Sequence, residues 1–459
     1  MREWFGVVVV WLVIGAAAAG AQTGPTTPPA SSPAARRISV DEAVALALRE
    51  SKAVRFAAEG IRKARARTGE SRAAGMPAVS AGATMTHLDE GVAATFPGGD
   101  GQSHTVTLAR QDQPALALQA TLPVDVTGMI RTAVEAGQFL ETAARLELVR
   151  VRGRVALEAS VACHDLLRAR AAAAVAETAL TNARDRLAMA EAYERAGVGT
   201  RFEALRAQAD VAGARQVQIA AQNRVAMAVA SLDQALGIDQ NTAVELTEAA
   251  AAEAPAGTLA AEIEAAYRDR PEIAQAEAGI RAAQRGVRLA RRSMLPSVGL
   301  GWSVQYTPSP AGFSPRNTTW AAVAQVSIPL FDQGVARARV DQASAEVVQA
   351  EIGRQQALDR VALEVRQAHL EAADARERLA VAEAAAAVAR EQYRLAQSRY
   401  RAGVTQSPGT SPLLEVSDAQ TALTLALTNQ VNARYDVRTA LAHLDWATGR
   451  VSAAAGSGK

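Results

Sequence analysis

The stretch "MLPSVGLGWSVQY" at residues 294 to 306 is a short β pattern in a chain that otherwise has an alanine-rich helical pattern. Every second residue from Val298 to Tyr306, including Trp302, is apolar, and the residues between them are small or polar. This alternation gives a strand one apolar face and one polar face. A second stretch, Thr319 to Ile328, alternates in the same way, with Trp320 on its apolar side. The chain therefore combines helices with a few amphipathic strands.

Two halves of the chain carry the same motifs in the same order. "MPAVSAGATMTH" at 76 to 87 corresponds to "LPSVGLGWSVQY", which begins 219 positions later. "LPVDVTG" at 122 to 128 corresponds to "IPLFDQG" at 328 to 334, and "RAGV" at 195 recurs at 401, both 206 positions later. We predict a first structural repeat at 38–237, a connecting segment at 238–258, a second repeat at 259–450 and a flexible tail at 451–459.

Each repeat is predicted to contain a helix, two strands and a helical hairpin. In the first repeat the predicted elements are a helix at 40–75, strands at 77–87 and 116–122 separated by a glycine-rich loop, and helices at 128–196 and 201–236. Four strands are too few to close a barrel, so they either pack on a helix or are pooled by several chains. Three chains would pool twelve strands. A small soluble sheet with one solvated face is the other interpretation of the same pattern.

A long coiled-coil helix is predicted between Gly334 and Gly403, where the chain has no proline. Two seams of small and apolar residues repeat every seven positions: 358, 365, 372, 379, 386, 393 and 400, and 361, 368, 375, 382, 389 and 396. This is the spacing of coiled-coil contact positions. At 1.5 Å per residue the helix would be about 100 Å long, which predicts a tube of helices rather than a compact bundle.

Composition limits the other possibilities. The 459 residues include 4% aromatic residues, and 49 basic and 47 acidic residues give a net charge of +2 without a basic block that would indicate nucleic-acid binding. Residues 1–21 have the pattern of a cleavable signal peptide, and 22–37 of a flexible leader, so an exported protein is expected. Because the single cysteine, Cys163, lies within a helical pattern, neither an internal disulfide nor a lipid-anchor cysteine is expected.

Catalytic motifs are not evident in the sequence. The five histidines are scattered, and no HExxH, P-loop or G-x-S-x-G pattern occurs. No histidine, cysteine or carboxylate spacing indicates a metal site. We therefore expect neither an enzyme nor a bound cofactor.

The duplicated motifs together resemble the TolC family of outer-membrane efflux proteins. The resemblance rests on "ISVDEAVALALRES" at 38–51, the paired strand entries, "LPVDVTG" and "IPLFDQG", and the turns "RAGVGTRFEALRAQ" and "RAGVTQSPGTSPLLEVSDAQ". It implies an α+β membrane protein: a homotrimer whose twelve strands form an outer-membrane β-barrel, continued by a coiled-coil periplasmic tunnel. It also implies an exit duct of a tripartite efflux or type I secretion system, working with a periplasmic adaptor (membrane fusion) protein and an inner-membrane pump.

The resemblance also implies roles for individual residues. Glu415 and Asp418 match the acidic positions of a periplasmic gate, and Tyr400 and Glu203 match a latch between the paired coils. The adaptor-docking tips would be Gly197, Val198, Gly199 and Thr200 in the first repeat and Gly403 and Val404 in the second. Trp302, Tyr306 and Trp320 would face outer-membrane lipid near the interface, where aromatic rings are favoured. An insertion of about six residues after Val404 distinguishes the second turn from the first.

One alternative function uses the same elements. Soluble periplasmic coiled-coil adaptors also combine heptad hairpins with β structure. The duplicated amphipathic strands and the two hairpins per chain favour the duct. The transported substrate and the type of pump are not encoded in any motif that we identify.

Overall fold

The computed structural model describes residues 36–97, 99, 102–239, 244–247, 257–312, 316–402 and 412–451. The predicted signal peptide, most of the leader and the tail lie outside these residues. Within them the chain forms eight helices and eight strands. The helices are α1 (Val40–Glu50), α2 (Lys52–Ala73), α3 (Met129–Arg195), α4 (Arg201–Leu236), α5 (Leu259–Asp269), α6 (Pro271–Arg292), α7 (Val335–Ala402) and α8 (Pro412–Ala447).

The two longest helices determine the shape of the helical region. Helices α3 and α7 contain 67 and 68 residues, so each is about 100 Å long. Each forms a hairpin with the shorter helix that follows it, and α3 also packs against α8. The predicted seams of α7 face these contacts, because Val361, Val365, Ala368 and Ala372 are buried against α5 and α8. The coiled-coil prediction is confirmed.

The first predicted helix is in fact two helices. Helix α1 ends at Glu50 and α2 begins at Lys52, because Ser51 between them has an extended backbone (ψ 124°). The side chain of Ser51 accepts a hydrogen bond from Val54 N and caps α2. The prediction of one continuous helix from Val40 to Gly75 was wrong at this position.

The strands are β1 (Arg36–Ile38), β2 (Ala78–His87), β3 (Val92–Pro97), β4 (Ser103–Ala109), β5 (Asp112–Val124), β6 (Val244–Leu246), β7 (Ser297–Tyr306) and β8 (Thr318–Ser327). The four predicted strands form one antiparallel sheet in the order β2-β5-β7-β8. The loop predicted after the first strand instead contains the hairpin β3-β4. A short parallel pair, β1-β6, was also not predicted, since three residues are too few for a periodic pattern.

The four-stranded sheet has two chemically different faces. One face consists of apolar side chains in register across all four strands, for example Ala81, Leu118, Val304 and Trp320. On the other face glycine, alanine, serine, threonine and glutamine predominate, as at Gly82, Gln119, Ser303 and Gln325. The apolar side chains are solvent-exposed in the single chain, with Val79 at 67% and Trp320 at 72%. An apolar sheet face of this extent requires an apolar environment.

The two halves of the chain have the same sequence of elements. Helices α5 and α6 and strand β7 begin 219 positions after α1, α2 and β2, and α7 begins 206 positions after α3. The last turns of α4 and α8 read "LDQALG" and "LDWATG", 212 positions apart, and end at Gly237 and Gly449 with positive φ. The duplication is therefore present in the structure as well as in the sequence. The exact repeat boundaries stay a prediction.

Among the residues that the structure describes, no helix combines the length and the apolar composition that crossing a bilayer requires.

Candidate functional site at the helix tips

The tip of the first hairpin is a tight turn between α3 and α4. Gly197 has φ 71°, a left-handed conformation that glycine adopts without strain, and it ends α3. The N–H groups of Val198 and Gly199 both donate to the carbonyl of Tyr193. Thr200 then caps α4: its Oγ1 accepts from Glu203 N, and Glu203 Oε2 accepts from Thr200 N. Local hydrogen bonds thus fix the shape of this tip.

The fixed turn exposes a cluster of apolar side chains. Val198 is 77% exposed, and Phe202 and Leu205 on the first turns of α4 are also exposed. Val198 is one of the predicted docking residues, whereas Phe202 and Leu205 are not, because they fit the helical pattern of core positions equally well. Gly403 and Val404 of the second tip lie outside the described residues.

Tyr400 lies in a small apolar core between the two hairpins. Its neighbours include Ala207 on α4, Ala396 on its own helix, and Val416 on α8, and the side chain is 7% exposed. The ring of Tyr193 on α3 lies 5.6 Å from the Tyr400 ring, between centroids, with a tilt of 54°. Burial, with the nearby Tyr193 and the carboxylate of Glu203, raises the pKa of Tyr400 to about 12. The phenol is therefore neutral and a hydrogen-bond donor at physiological pH.

The structure places the two predicted latch residues close enough for this electrostatic effect, although Glu203 also caps its own helix. Tyr400 thus packs as a core residue. Its role as a latch stays a prediction.

Glu415 and Asp418 lie in the first two turns of α8 and share one face of that helix, since they are three residues apart. Asp418 is exposed and Glu415 is half-buried. The opposite side of these turns, through Leu413 and Val416, packs into the core around Tyr400. This packing directs the two carboxylates away from the core, and their role in a gate stays a prediction.

A polar layer next to the two carboxylates joins α8 to the first hairpin. Ser417 Oγ donates to Asp210 Oδ2 on α4 at 2.8 Å. Asn182 Nδ2 on α3 donates to Gln420 Oε1 at 3.3 Å. These contacts join residues more than 200 positions apart, so no local sequence pattern predicts them.

The three predicted interface aromatics lie on the apolar face of the sheet. Tyr306 ends β7, and Trp320 is opposite Val304, two residues from that end. Trp302 lies near the middle of β7, about 13 Å from Tyr306 at the usual strand rise. Trp320 therefore lies midway, along the strand direction, between the levels of Tyr306 and Trp302.

The described part of the chain has no group of three or more histidine, cysteine, aspartate or glutamate side chains arranged to hold a metal ion. Its single cysteine, Cys163, is buried, and burial raises the pKa of the thiol to about 12.

Solved structures share this fold of long helical hairpins joined to a four-stranded sheet. A membrane protein from Pseudomonas aeruginosa has a TM-score of 0.73 to this chain at 23% identity, covering 89% of this chain and 93% of its own. The outer membrane protein VceC of Vibrio cholerae has a TM-score of 0.72 at 20% identity, covering 89% and 96%. These likenesses confirm the fold class that the sequence indicates.

The chain belongs to the outer membrane efflux protein family, which matches residues 43–238 and 263–450. A curated relative, the probable efflux pump outer membrane protein TtgC of Pseudomonas putida, is 30% identical over 295 residues. That match covers 61% of this chain and 58% of TtgC, so the chain matches less than two thirds of the relative's length. The family resemblance drawn from the sequence is confirmed. The family is one of outer membrane efflux proteins rather than soluble adaptors or enzymes.

Proposed function

We propose that this chain forms the outer-membrane exit duct of a tripartite efflux system. The observation that carries the proposal is a sheet with one apolar face, attached to two helices about 100 Å long. Lipid would cover the apolar face, and the helices would extend through the periplasm. The family membership and the name of TtgC, an efflux pump outer membrane protein, support this assignment.

A homotrimer would complete the sheet. Within the described chain, β2 and β8 are the outer strands of the sheet, so each presents one edge to a neighbour. In a bilayer such edges must be paired, because no water is present to bond the backbone N–H and C=O groups. Pairing β8 of each chain with β2 of the next would close a barrel of twelve strands. Tyr306, Trp320 and Trp302 would then face lipid at three successive levels, with Tyr306 at the end of its strand.

The gate would form where three copies of α8 approach the axis. Three copies of Glu415 and Asp418 would bring as many as six carboxylates into a narrow constriction. Carboxylates surrounded by low-dielectric walls focus the field and attract cations. Tyr400 would act as a latch, its neutral phenol donating to Glu203 while the gate is closed.

The exposed tip would dock a periplasmic adaptor protein, which in turn recruits an inner-membrane pump. Val198 on the turn, with Phe202 and Leu205 on the start of α4, exposes apolar side chains of the kind found in an interface core. Gly199 is packed tightly, because an added Cβ would come within 2.9 Å of Tyr193 Cβ. The second tip, around Gly403 and Val404, would dock the adaptor in the same way. Export by a cleavable signal peptide at residues 1–21 completes this proposal.

Membrane fractionation and planar-bilayer recordings test the duct. We expect the protein in the outer-membrane fraction, and purified trimers should give cation-selective channels that multivalent cations block. Replacing Glu415 and Asp418 with alanine should weaken both properties without loss of the trimer. A matched control replaces Glu371 and Asp374, which have the same types and spacing and are exposed on α7. Recovery from the soluble periplasm without detergent would refute the duct, whereas equal effects of the two double variants would refute only the gate.

A further inference from the structure

Arg186 on α3 is a buried arginine without a hydrogen-bond partner. Its side chain is 5% exposed, and its Nη1 is fully enclosed and bonds to no atom of the described chain. Guanidinium groups are almost always paired when buried, because removing a charge from water costs several kcal/mol. Arg186 therefore indicates that an anionic partner is missing from the single chain.

Arg186 lines a groove of about 470 Å³ between α3, α4 and α8. Most of the groove wall consists of small and apolar side chains, with threonine hydroxyls along α8. The described lining residues are Ala179, Ala183, Arg186, Ala209, Asp210, Gly213, Ala214, Val217, Ser417, Gln420, Thr421, Thr424, Leu425 and Thr428. This volume is within the range of small-molecule sites.

The other polar groups of the groove are already engaged. Asp210 is the carboxylate among the described lining residues, and its Oδ2 accepts from Ser417 Oγ. Gln420 accepts from Asn182. Thr421 and Thr424 donate to carbonyl groups of their own helix. Among these described lining residues, Arg186 is therefore the charged side chain that has no hydrogen-bond partner, and it lies beside a largely apolar wall.

We propose that this groove binds an organic anion that has a carboxylate on a compact apolar body. The carboxylate would accept a charge-assisted hydrogen bond from the Arg186 guanidinium at the groove wall. The apolar body would lie against Ala183, Val217 and Leu425. Binding does not depend on the proposed duct function, because the described lining residues all belong to one chain.

Calorimetric titration of the detergent-solubilised full-length protein with 1-naphthoate tests the proposal, with 1-naphthamide as the uncharged probe. Blank titrations into detergent alone correct for partition of the probes. We expect naphthoate to bind with a Kd below about 1 mM and naphthamide at least about tenfold more weakly. Arg186→Met should weaken naphthoate binding by about tenfold or more. The control Arg184→Met removes an exposed arginine two residues away and should change nothing.

A third variant separates binding from folding. Arg186→Lys retains the charge and should bind naphthoate within about threefold of the wild type, even if Arg186→Met fails to fold. Equal binding of the two probes, or equal effects of the Arg184 and Arg186 variants, would overturn the proposal. The proposal would also be overturned if the wild-type trimer did not bind naphthoate and the Arg186→Met variant no longer formed a trimer. The partner of Arg186 would then belong to a neighbouring chain.

Discussion

The two repeats place different chemistry in the same part of the fold. In the first repeat, Ala43 on α1 and Cys163 on α3 are fully buried in one apolar cluster. The equivalent positions in the second repeat, 219 and 206 residues later, are Glu262 and His369, whose Oε2 and Nδ1 atoms lie 2.8 Å apart. Glu262 is nonetheless 2% exposed. The duplication thus preserved the packing of the helices but not the polarity of their contact.

A second pair of equivalent positions differs in size as well as polarity. Ser51, which caps α2, corresponds to Arg270, whose guanidinium contacts Glu364 at 2.7 Å and lies 4.4 Å from the ring centroid of Trp446. Trp446 corresponds in turn to Gln234. Ser51 and Gln234 line an open groove of about 810 Å³ in the first repeat. A stacked arginine and tryptophan thus occupy the positions that border a groove in the other half.

Among the changes that distinguish the two repeats, removing the charge of Arg270 should cause the largest loss of stability. Arg270→Ala leaves the carboxylates of Glu272 and Glu364 without their cation, so we expect a loss of about 3 to 5 kcal/mol of stability. The equivalent change in the first repeat, Ser51→Ala, removes only a helix cap and should cost about 1 kcal/mol. Unfolding in guanidinium chloride, monitored by circular dichroism, gives both values. Similar losses in the two variants would contradict the proposed difference between the repeats.

His164 should make the first repeat acid-sensitive. Burial, with the charges of Arg438 and Arg168, lowers the pKa of His164 to about 4 from its ordinary 6.5. The unfolded chain therefore binds the proton more readily than the folded chain. Neutral His164 makes its full contribution to the free energy of unfolding above about pH 6.5. On the order of 3 kcal/mol of that free energy is lost as the pH falls through 4.

Thermal unfolding of the wild type and of His164→Leu between pH 7 and pH 4 measures this effect. Leucine is the residue at the equivalent position of the second repeat, Leu370. The variant should lose most of the pH dependence in this range. An unchanged pH profile would show that His164 is accessible to solvent.

The Glu262–His369 contact can be exchanged for its first-repeat equivalent. Glu262→Ala leaves His369 without its partner and should cost about 1 to 3 kcal/mol. Adding His369→Cys restores the small apolar pair of the first repeat and should recover part of that loss. A double-mutant cycle gives the coupling energy. Strictly additive effects would mean that the two side chains do not stabilise each other.

The smallest expected effect concerns the caps of α1 and α5. Ser39 forms a full capping box with Glu42, whereas Thr258 caps α5 through Ala261 N only. Ala261→Glu supplies the missing carboxylate and should stabilise the protein by about 0.5 kcal/mol. The matching loss is expected for Glu42→Ala. A destabilised Ala261→Glu variant would show that α5 begins with a geometry unlike that of α1.

The sequence is informative where a periodic pattern is long. Helix α4 has the predicted bounds, and strand β7 covers the alternating pattern from Val298 to Tyr306 with one more residue at its start. The break at Ser51 was missed because the apolar spacing continues from α1 into α2. The contacts of Tyr400 with Tyr193 and of Ser417 with Asp210 join distant parts of the chain. No local pattern encodes such contacts, so the surroundings of the candidate site could not be predicted.

The order of strands in the main sheet has a consequence for folding. Strands β2 and β5 belong to the first repeat and β7 and β8 to the second, and their shared border pairs Leu116 with Tyr306, 190 positions apart. Each repeat alone supplies only a two-stranded ribbon, which is marginally stable in water. Closing such a long loop has a high entropic cost, so contacts of this kind form late and slowly. Because β7 must be available before β5 can pair with it, assembly of the sheet waits for the second half of the chain.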